Sequence, residues 1–231
     1  MLRRLLSYFI PVNIHKQPSA LSKTLEVTWA NGQLVLDSRH TNYSFGSLQR
    51  VLRKGLLEIG FEKIRGMSEI LVLGVAGGSV IQTINGEAGF TGRITGVEID
   101  PEVIALSKKF FGLDRIPNLE LINDDAFEFV LRTRQQYDLV IIDIFQDTTM
   151  PGFLFETYFV NRLGEITSQN GIVVFNTMTL KESDFLRNSE FKRHVDTKVF
   201  NIRSLPRLES HNELMILEKP KNTSSAENKR S

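Results

Sequence analysis

Five short apolar runs between residues 70 and 175 dominate the hydrophobic pattern of the chain. Each consists mainly of leucine and β-branched residues without polar alternation, as expected for strands that are buried on both faces. A helical stretch of about ten residues follows each of the first four runs, which is typical of a parallel, doubly wound sheet. The predicted strands are Ile70–Leu73, Ile94–Val97, Leu119–Ile122, Leu139–Ile142 and Ile172–Phe175, with a helix near Phe155–Glu165 before the last of them.

The pattern changes towards the carboxyl end of the chain. Val195–Ile202 and Glu213–Leu217 are β-prone, and a turn-rich stretch around residues 206–212 joins them. A short turn between two such runs predicts an antiparallel pair. Together with the five preceding strands, this pair predicts an α/β, Rossmann-like sheet of seven strands.

A smaller β element is predicted near the amino end. Leu25–Val27 and Gln33–Leu36 are β-prone runs, and the dipeptide Asn31-Gly32 between them favours a tight hairpin turn. Ser44 is then predicted to cap a helix that keeps apolar residues at helical spacing until Gly60. These patterns predict an appendage over residues 1–43, an α/β domain over residues 44–218 and a disordered tail over residues 219–231.

The first nine residues form a further candidate element. Met1–Phe9 has the pattern of a short amphipathic helix and contains no acid. We expect this segment to dock on the body of the protein or on a second subunit. A membrane-surface or targeting role is the alternative, because the segment combines apolar and basic residues.

Composition excludes several kinds of chemistry. The chain has 231 residues, a net charge of +1 and no cysteine, so disulfides, thiolate nucleophiles and cysteine-bound metals are absent. Its four histidines are scattered and do not have metal-ligand spacing, so no metal is expected. No apolar run approaches the roughly 18 residues of a membrane span. We therefore expect a cytoplasmic protein without a transmembrane segment.

The charge is distributed unevenly. Residues 1–18 and 219–231 each carry +3, which leaves −5 on the body between them. Binding to phosphates requires clustered Lys and Arg, so an acidic body argues against nucleic acid as a partner. It suits a cationic ligand better.

Two predicted strand ends carry residues suited to a nucleoside. The first strand is followed by the loop Gly74–Gly78, in which Gly74, Ala76, Gly77 and Gly78 would let backbone N–H groups approach a ligand closely. The second strand ends at Glu98, where an acid can accept the hydroxyls of a ribose, with Ile99 beside it. The alternative for the glycines is that tight packing between strand and helix requires them. Asp100 stands before a proline and is therefore assigned as the cap of the next helix, which leaves Glu98 for the ribose.

The third predicted strand ends in a similar way. Asp125 could accept the amino group of an adenine while the backbone N–H of Ala126 meets a ring nitrogen. The alternative is that this acid caps the following helix. Three strand ends that carry suitable groups describe a nucleoside site more specifically than any one of them does.

The glycine loop has the pattern G-x-x-G-G instead of the G-x-G-x-x-G of dinucleotide enzymes. With the antiparallel strand pair at the end, the chain resembles the class I S-adenosylmethionine (AdoMet)-dependent methyltransferase fold. The resemblance narrows after the fourth strand. Asp143 and the segment 150–159 (MPGFLFETYF) resemble the spermidine synthase family, whose strand ends in D-S-S-D-P and continues to G-P-x-x-x-L-F. The segments 42–45 (NYSF), 97–104 (VEIDPEVI) and 107–111 (SKKFF) also resemble that family.

This resemblance implies transfer of an aminopropyl group from decarboxylated AdoMet to a small-molecule amine. Asp143 lies where the family has its catalytic Asp, which would accept a proton from the amine or stabilise its positive charge. The alternative interpretation of Asp143 is an acid that caps a loop beyond the strand and has no catalytic role. The family also forms oligomers, so a homodimer is possible.

Several positions depart from the family pattern. Gly77 stands where the family's G-G-G-D-G-G loop has an Asp that holds the free amine of the donor, so either AdoMet or decarboxylated AdoMet remains possible. On the acceptor side, the matching positions carry Phe45, Gln146, Asp147 and Asn176. The residues that would bind the nucleoside match the family pattern, whereas those that would bind the amine differ from it. Methyl transfer and a catalytically silent nucleoside-binding or interaction protein therefore stay open as alternatives, and an NAD-dependent oxidoreductase is disfavoured by the loop.

Overall fold

The computed structural model describes residues 2–38, 42–44, 47–145 and 149–220. Its main body is a seven-stranded sheet with helices on both faces, and a four-stranded antiparallel sheet precedes it. The elements before the main body are α1 (Leu2–Leu6), β1 (Val12–Ser19), β2 (Lys23–Ala30), β3 (Gln33–Ser38) and β4 (Asn42–Ser44).

The main body alternates strands and helices as the hydrophobic pattern predicts. A π-helical turn over Thr83–Glu87 extends α4, and 3-10 turns lie at Leu113–Arg115 and Gly152–Phe155. The elements are α2 (Ser47–Ile59), α3 (Phe61–Arg65), β5 (Glu69–Leu73), α4 (Ser79–Gln82), β6 (Arg93–Glu98), α5 (Pro101–Phe111), β7 (Leu119–Asn123), α6 (Ala126–Arg132), β8 (Tyr137–Ile142), α7 (Thr157–Ile166), β9 (Thr167–Met178), α8 (Glu182–His194), β10 (Asn201–Leu208) and β11 (Asn212–Glu218).

The strand order in the large sheet is β10-β11-β9-β8-β5-β6-β7. Strands β5 to β9 are mutually parallel, whereas β11 is antiparallel to both β9 and β10. The chain reverses direction across the sheet between β5 and β8, because β6 and β7 lie on one side and β8 and β9 on the other. Ligands of open α/β sheets bind beyond the carboxyl ends of the strands at such a reversal.

Two apolar layers cover the faces of this sheet. One packs α2 and α4 against residues such as Ile70 and Val72, and the other packs α7 against residues such as Leu71 and Leu73. Alternate residues of β5 thus enter opposite layers, and all four are fully buried. This explains why the predicted strands lack polar alternation.

The N-terminal sheet contains the predicted hairpin and extends it. β2 and β3 pair through a turn in which Asn31 and Gly32 have φ values of 51° and 75°, as a tight hairpin turn requires. β1 pairs with β2 on one side and β4 with β3 on the other. The inner face of this sheet packs on α5 of the main body.

Two local predictions were wrong. Ser44 belongs to β4 instead of capping a helix, and α2 begins at Ser47. The predicted strand Val195–Ile202 begins only at Asn201, because α8 ends at His194 and residues 195–200 form turns. Phe200 is fully buried there, so its apolar character reflects packing of a turn and not a strand.

Some predictions concern residues outside the described ranges. Phe45, Gln146, Asp147 and residues 221–231 of the predicted tail are among them. In the described part of the chain, no helix is long and apolar enough to cross a membrane.

Candidate functional site

The glycine loop leaves β5 under tight steric constraints. Gly74 has a φ of +86°, and a Cβ at this position would lie 2.3 Å from the carbonyl oxygen of Asp143. Gly78 has a φ of +75°, and a Cβ there would meet Leu113. Glycine is therefore required at both positions for packing, and the loop is held directly against the end of β8. Ala76 also has a positive φ, of 49°.

Glu98, at the end of β6, is buried and holds the glycine loop. Its Oε2 accepts hydrogen bonds from the backbone N–H groups of Val75 (3.0 Å) and Ala76 (3.1 Å), and its Oε1 accepts one from Asp100 N (3.1 Å). Burial raises the pKa of this carboxyl, and the three backbone donors partly counter that effect. Each carboxylate oxygen can accept about two hydrogen bonds. Oε1 therefore retains capacity for one further donor.

Asp100 caps α5, as the sequence predicts, and also anchors the N-terminal sheet. Its Oδ1 accepts from Glu102 N at 3.0 Å, while Oδ2 accepts from Ser19 Oγ (2.5 Å) and Ser22 Oγ (3.0 Å). Burial alone would raise the pKa of Asp100, but these hydrogen bonds outweigh it and lower the pKa. Between the two acids, the side chain of Ile99 is 46% exposed and lies at the surface beside the loop.

Asp125 caps α6, which is the alternative that the sequence left open beside a contact with adenine. Its Oδ1 accepts from Phe127 N (2.7 Å) and Glu128 N (3.4 Å). Oδ2 has no hydrogen bond to any residue that the structure describes, so the cap leaves one carboxylate oxygen available. Ala126 follows as the first residue of the helix, where a backbone N–H has no helical partner. Asp124 is used differently, since it pairs with Arg132.

Asp143 follows β8 and lies between the glycine loop and β9. Its backbone N–H donates to Leu73 O at 2.9 Å, and its Oδ1 accepts from Nδ2 of Asn176 at 2.9 Å. Burial raises the pKa of Asp143 to about 6; the Asn176 hydrogen bond opposes this shift and the negative charge of Glu98 adds to it. Oδ2 has no hydrogen-bond partner within the described ranges. Among the described residues, the carboxyl is thus held at one oxygen only.

Asn212 completes this arrangement, and sequence reasoning missed it. Its Nδ2 donates to Oδ1 of Asn176 at 3.0 Å, and both asparagines are buried. Because the Asn176 oxygen is engaged, its Nδ2 must face Asp143. The position follows a turn and begins β11, so its local signal is that of a turn residue. Only the antiparallel pairing of β11 with β9 brings it to the site.

A second buried polar cluster lies next to these asparagines. Glu213 accepts from Lys192 Nζ (2.5 Å) and Asn188 Nδ2 (3.0 Å), and Asn188 also donates to Thr177 Oγ1 (2.9 Å). Burial alone would raise the pKa of Glu213, but the hydrogen bonds, led by that from Lys192, lower it. This cluster ties α8 to β9 and β11. It therefore stabilises the strand ends that present Asn176 and Asn212.

The structure brings most of the predicted site residues to one edge of the large sheet. The loop, Glu98, Asp125, Asp143 and Asn176 all lie at the carboxyl edge of the parallel strands. The acceptor-side candidates Phe45, Gln146 and Asp147 lie outside the described residues.

The fold and this edge define a protein of the class I AdoMet-dependent methyltransferase fold. Spermidine synthase from Thermotoga maritima matches with a TM-score of 0.67 at 16% identity, covering 90% of this chain and 73% of that one. Human methyltransferase-like protein 13, solved in complex with SAH, matches with a TM-score of 0.62 at 18% identity, covering 78% and 85%. At such identities the likeness concerns the fold.

Sequence comparison narrows the class. Residues 52–208 match the spermine/spermidine synthase domain, and the chain belongs to this family. The polyamine aminopropyltransferase of Vibrio vulnificus (strain CMCP6) is 28% identical over 113 residues, which cover 48% of this chain. The match spans 38% of that relative's length.

Proposed function

We propose that the protein transfers an aminopropyl group from decarboxylated AdoMet to a small amine. The observation that carries the proposal is the position of Asp143, held by Asn176 at the end of β8 and packed against the glycine loop. Membership of the spermine/spermidine synthase family and similarity to polyamine aminopropyltransferases support it.

The donor half of the site would use groups that remain available. Oε1 of Glu98 can accept one ribose hydroxyl without giving up its bond to Asp100 N. Oδ2 of Asp125 can accept a hydrogen bond from the amino group of the adenine while Oδ1 keeps its role as helix cap. The loop Gly74–Gly78, with Ala76, Gly77 and Gly78, would pass along the rest of the donor, and Ile99 and Ala126 would flank the ribose and the base.

The acceptor half would centre on Asp143. The donor supplies a sulfonium carbon that is already activated for displacement. The lone pair of the acceptor nitrogen forms the new C–N bond, and the C–S bond breaks with its electron pair going to sulfur, which releases methylthioadenosine. The nitrogen must be deprotonated to attack, and Oδ2 of Asp143 accepts its proton or stabilises the ammonium product. Phe45, Gln146, Asp147 and Asn176 are proposed to surround the amine.

Methyl transfer from AdoMet is the second candidate. Gly77 favours it, because no carboxylate stands at this position to hold a free donor amine or to repel a donor carboxylate. The cytoplasmic location, the metal-free reaction and the homodimer stay predictions.

Calorimetry with four nucleosides tests the proposal: decarboxylated AdoMet, AdoMet, methylthioadenosine and S-adenosylhomocysteine. We expect binding of decarboxylated AdoMet, and the loss of Glu98 in the variant Glu98→Gln should weaken it at least tenfold, as for a lost hydrogen bond to a charged group worth about 1.5–3 kcal/mol. The exposed acid Glu120 on β7 gives the matched control Glu120→Gln, which should leave affinity unchanged.

The outcomes separate the candidates. Preference for decarboxylated AdoMet over AdoMet supports aminopropyl transfer, and the opposite preference supports methyl transfer. If donor binds but no amine is alkylated, the protein is a catalytically silent nucleoside-binding protein. If none of the four nucleosides binds, the nucleoside site itself is refuted.

A further inference from the structure

The N-terminal segment carries a stripe of exposed apolar side chains. Helical turns continue past α1, because Phe9 N and Ile10 N both donate to Leu6 O, at 3.0 and 3.1 Å. Residues at positions i, i+3, i+4 and i+7 of a helix share one face. The members of this N-terminal apolar stripe are Leu2, Leu5, Leu6 and Phe9, which are 71%, 58%, 45% and 88% exposed.

The opposite side of the segment is fixed to the protein. Arg4 Nε donates to Gly32 O at 3.1 Å, and the Arg4 guanidinium lies 5.8 Å from the centre of the Trp29 ring. Ser7 is buried; its Oγ accepts from Gly32 N at 3.0 Å, and its carbonyl oxygen accepts from Asn31 N at 2.9 Å. Polar groups thus face the β2–β3 turn while the apolar stripe faces outward. An amphipathic helix that only docks on its own domain has the reverse orientation.

Charge indicates what covers the stripe. Residues 2–18 contain no acid. Lys16 pairs with Glu26 of β2 and Arg4 is bonded to Gly32, whereas Arg3 is exposed beside the stripe. A second copy related by a twofold axis would present the same acid-free segment to this one. Anionic lipid headgroups would complement Arg3 instead, and they would repel the acidic body, so that the basic segment faces the lipid.

We propose that residues 2–10 bind the surface of an anionic lipid bilayer. The apolar stripe inserts to the boundary between headgroups and acyl chains, and Arg3 lies among the lipid phosphates. The proposal does not depend on the proposed reaction, since no residue of the candidate site takes part.

Vesicle co-sedimentation of the full chain tests it, with phosphatidylcholine vesicles that contain or lack phosphatidylglycerol. We expect binding to the anionic vesicles and at least about tenfold weaker binding to the neutral ones. Leu5→Ser combined with Phe9→Ser should reduce binding at least about tenfold, because it removes two inserted side chains. Arg3→Gln should reduce it about fivefold on anionic vesicles, as expected for one basic residue near such a surface.

Phe185 and Leu186 on α8 provide a matched control, being 49% and 60% exposed. Phe185→Ser combined with Leu186→Ser removes the same two residue types elsewhere and should leave vesicle binding unchanged. Circular dichroism and light scattering establish the folding and the mass of each variant. The proposal would be overturned if the protein bound both vesicle types equally or bound neither. It would also be overturned if the control variant Phe185→Ser with Leu186→Ser lost as much vesicle binding as Leu5→Ser with Phe9→Ser. A dimer that dissociates on Leu5→Ser with Phe9→Ser, without vesicle binding, would assign the stripe to a second copy.

Discussion

Asn176 donates a hydrogen bond of 2.9 Å to Asp143, from its amide Nδ2 to the carboxylate Oδ1. A donor at this distance stabilises the ionised carboxylate. Burial acts in the opposite direction and is the larger effect, so the pKa of Asp143 rises to about 6. The carboxyl is therefore ionised at neutral pH, so it can bind an ammonium group or accept the proton that leaves the nitrogen as the new C–N bond forms.

Asp143→Asn should abolish turnover and retain the donor. The amide keeps the size of the side chain but cannot accept a proton, whereas the nucleoside contacts are made by other residues. We expect donor affinity in calorimetry to change less than about tenfold, or roughly 1.4 kcal/mol. Turnover at the wild-type rate in this variant would remove Asp143 from the mechanism.

The pH profile of kcat/KM should have an acid limb near the pKa of Asp143, about 6. Asn176→Leu removes the donor to the carboxylate, so the pKa and the acid limb should move up by about one pH unit, the equivalent of about 1.4 kcal/mol. A limb that stays in place, or moves to lower pH, would contradict the role of this hydrogen bond.

Asn212→Leu should act on Asp143 through Asn176. Without the Asn212 donor, the Asn176 amide is free to rotate its oxygen towards the carboxylate, which disfavours ionisation. We expect the acid limb to rise by about half a pH unit, and the double variant Asn176→Leu with Asn212→Leu to show no more than the shift of Asn176→Leu alone. Additive shifts would show that the two asparagines act independently.

Asp37 gives a prediction about stability. Its Oδ1 is buried with no hydrogen-bond partner in the part of the chain that the structure describes, and Glu26 lies opposite on β2. Burial and then the charge of Glu26 raise its pKa from 3.8 to about 6. The folded state therefore binds more protons between these values, so this contribution is present below about pH 4 and is lost as pH rises through about 6.

Asp37→Asn should remove this loss. Urea unfolding near pH 8 should show a gain of about 1 kcal/mol over the wild type, while at about pH 4 the two should be similar. The exposed acid Asp114 supplies the control Asp114→Asn, which should not change the difference between the two pH values. An equal gain at both pH values would exclude ionisation as its cause.

The large sheet was predictable because its strands are buried on both faces and therefore form continuous apolar runs. β1 (VNIHKQPS) was not, since polar residues and a proline fill an edge strand whose partner is supplied by β2. α8 (ESDFLRNSEFKRH) also lacks a clear apolar face and was missed. In both elements tertiary packing decides the structure and local pattern does not.

The site divides in the same way. Gly74 and Glu98 directly follow predicted strands and Asp125 comes three residues after one, so position along the chain was enough to propose them. Asp143 and Asn176 required the resemblance to a family. The hydrogen bonds that Glu98 accepts from the loop and that Asn212 donates to Asn176 join residues far apart in sequence, and no local pattern indicates such contacts.

Packing of the N-terminal sheet on α5 has a consequence for synthesis on the ribosome. Leu25, Val27 and Leu36 share their apolar cluster with Val103 and Leu106 of that helix, and the serines before β2 are bonded to Asp100. During synthesis this sheet thus lacks its full apolar core until residues 100–111 have left the exit tunnel. Its edge strands remain exposed during that interval, so this sheet of the nascent chain is open to pairing with other chains.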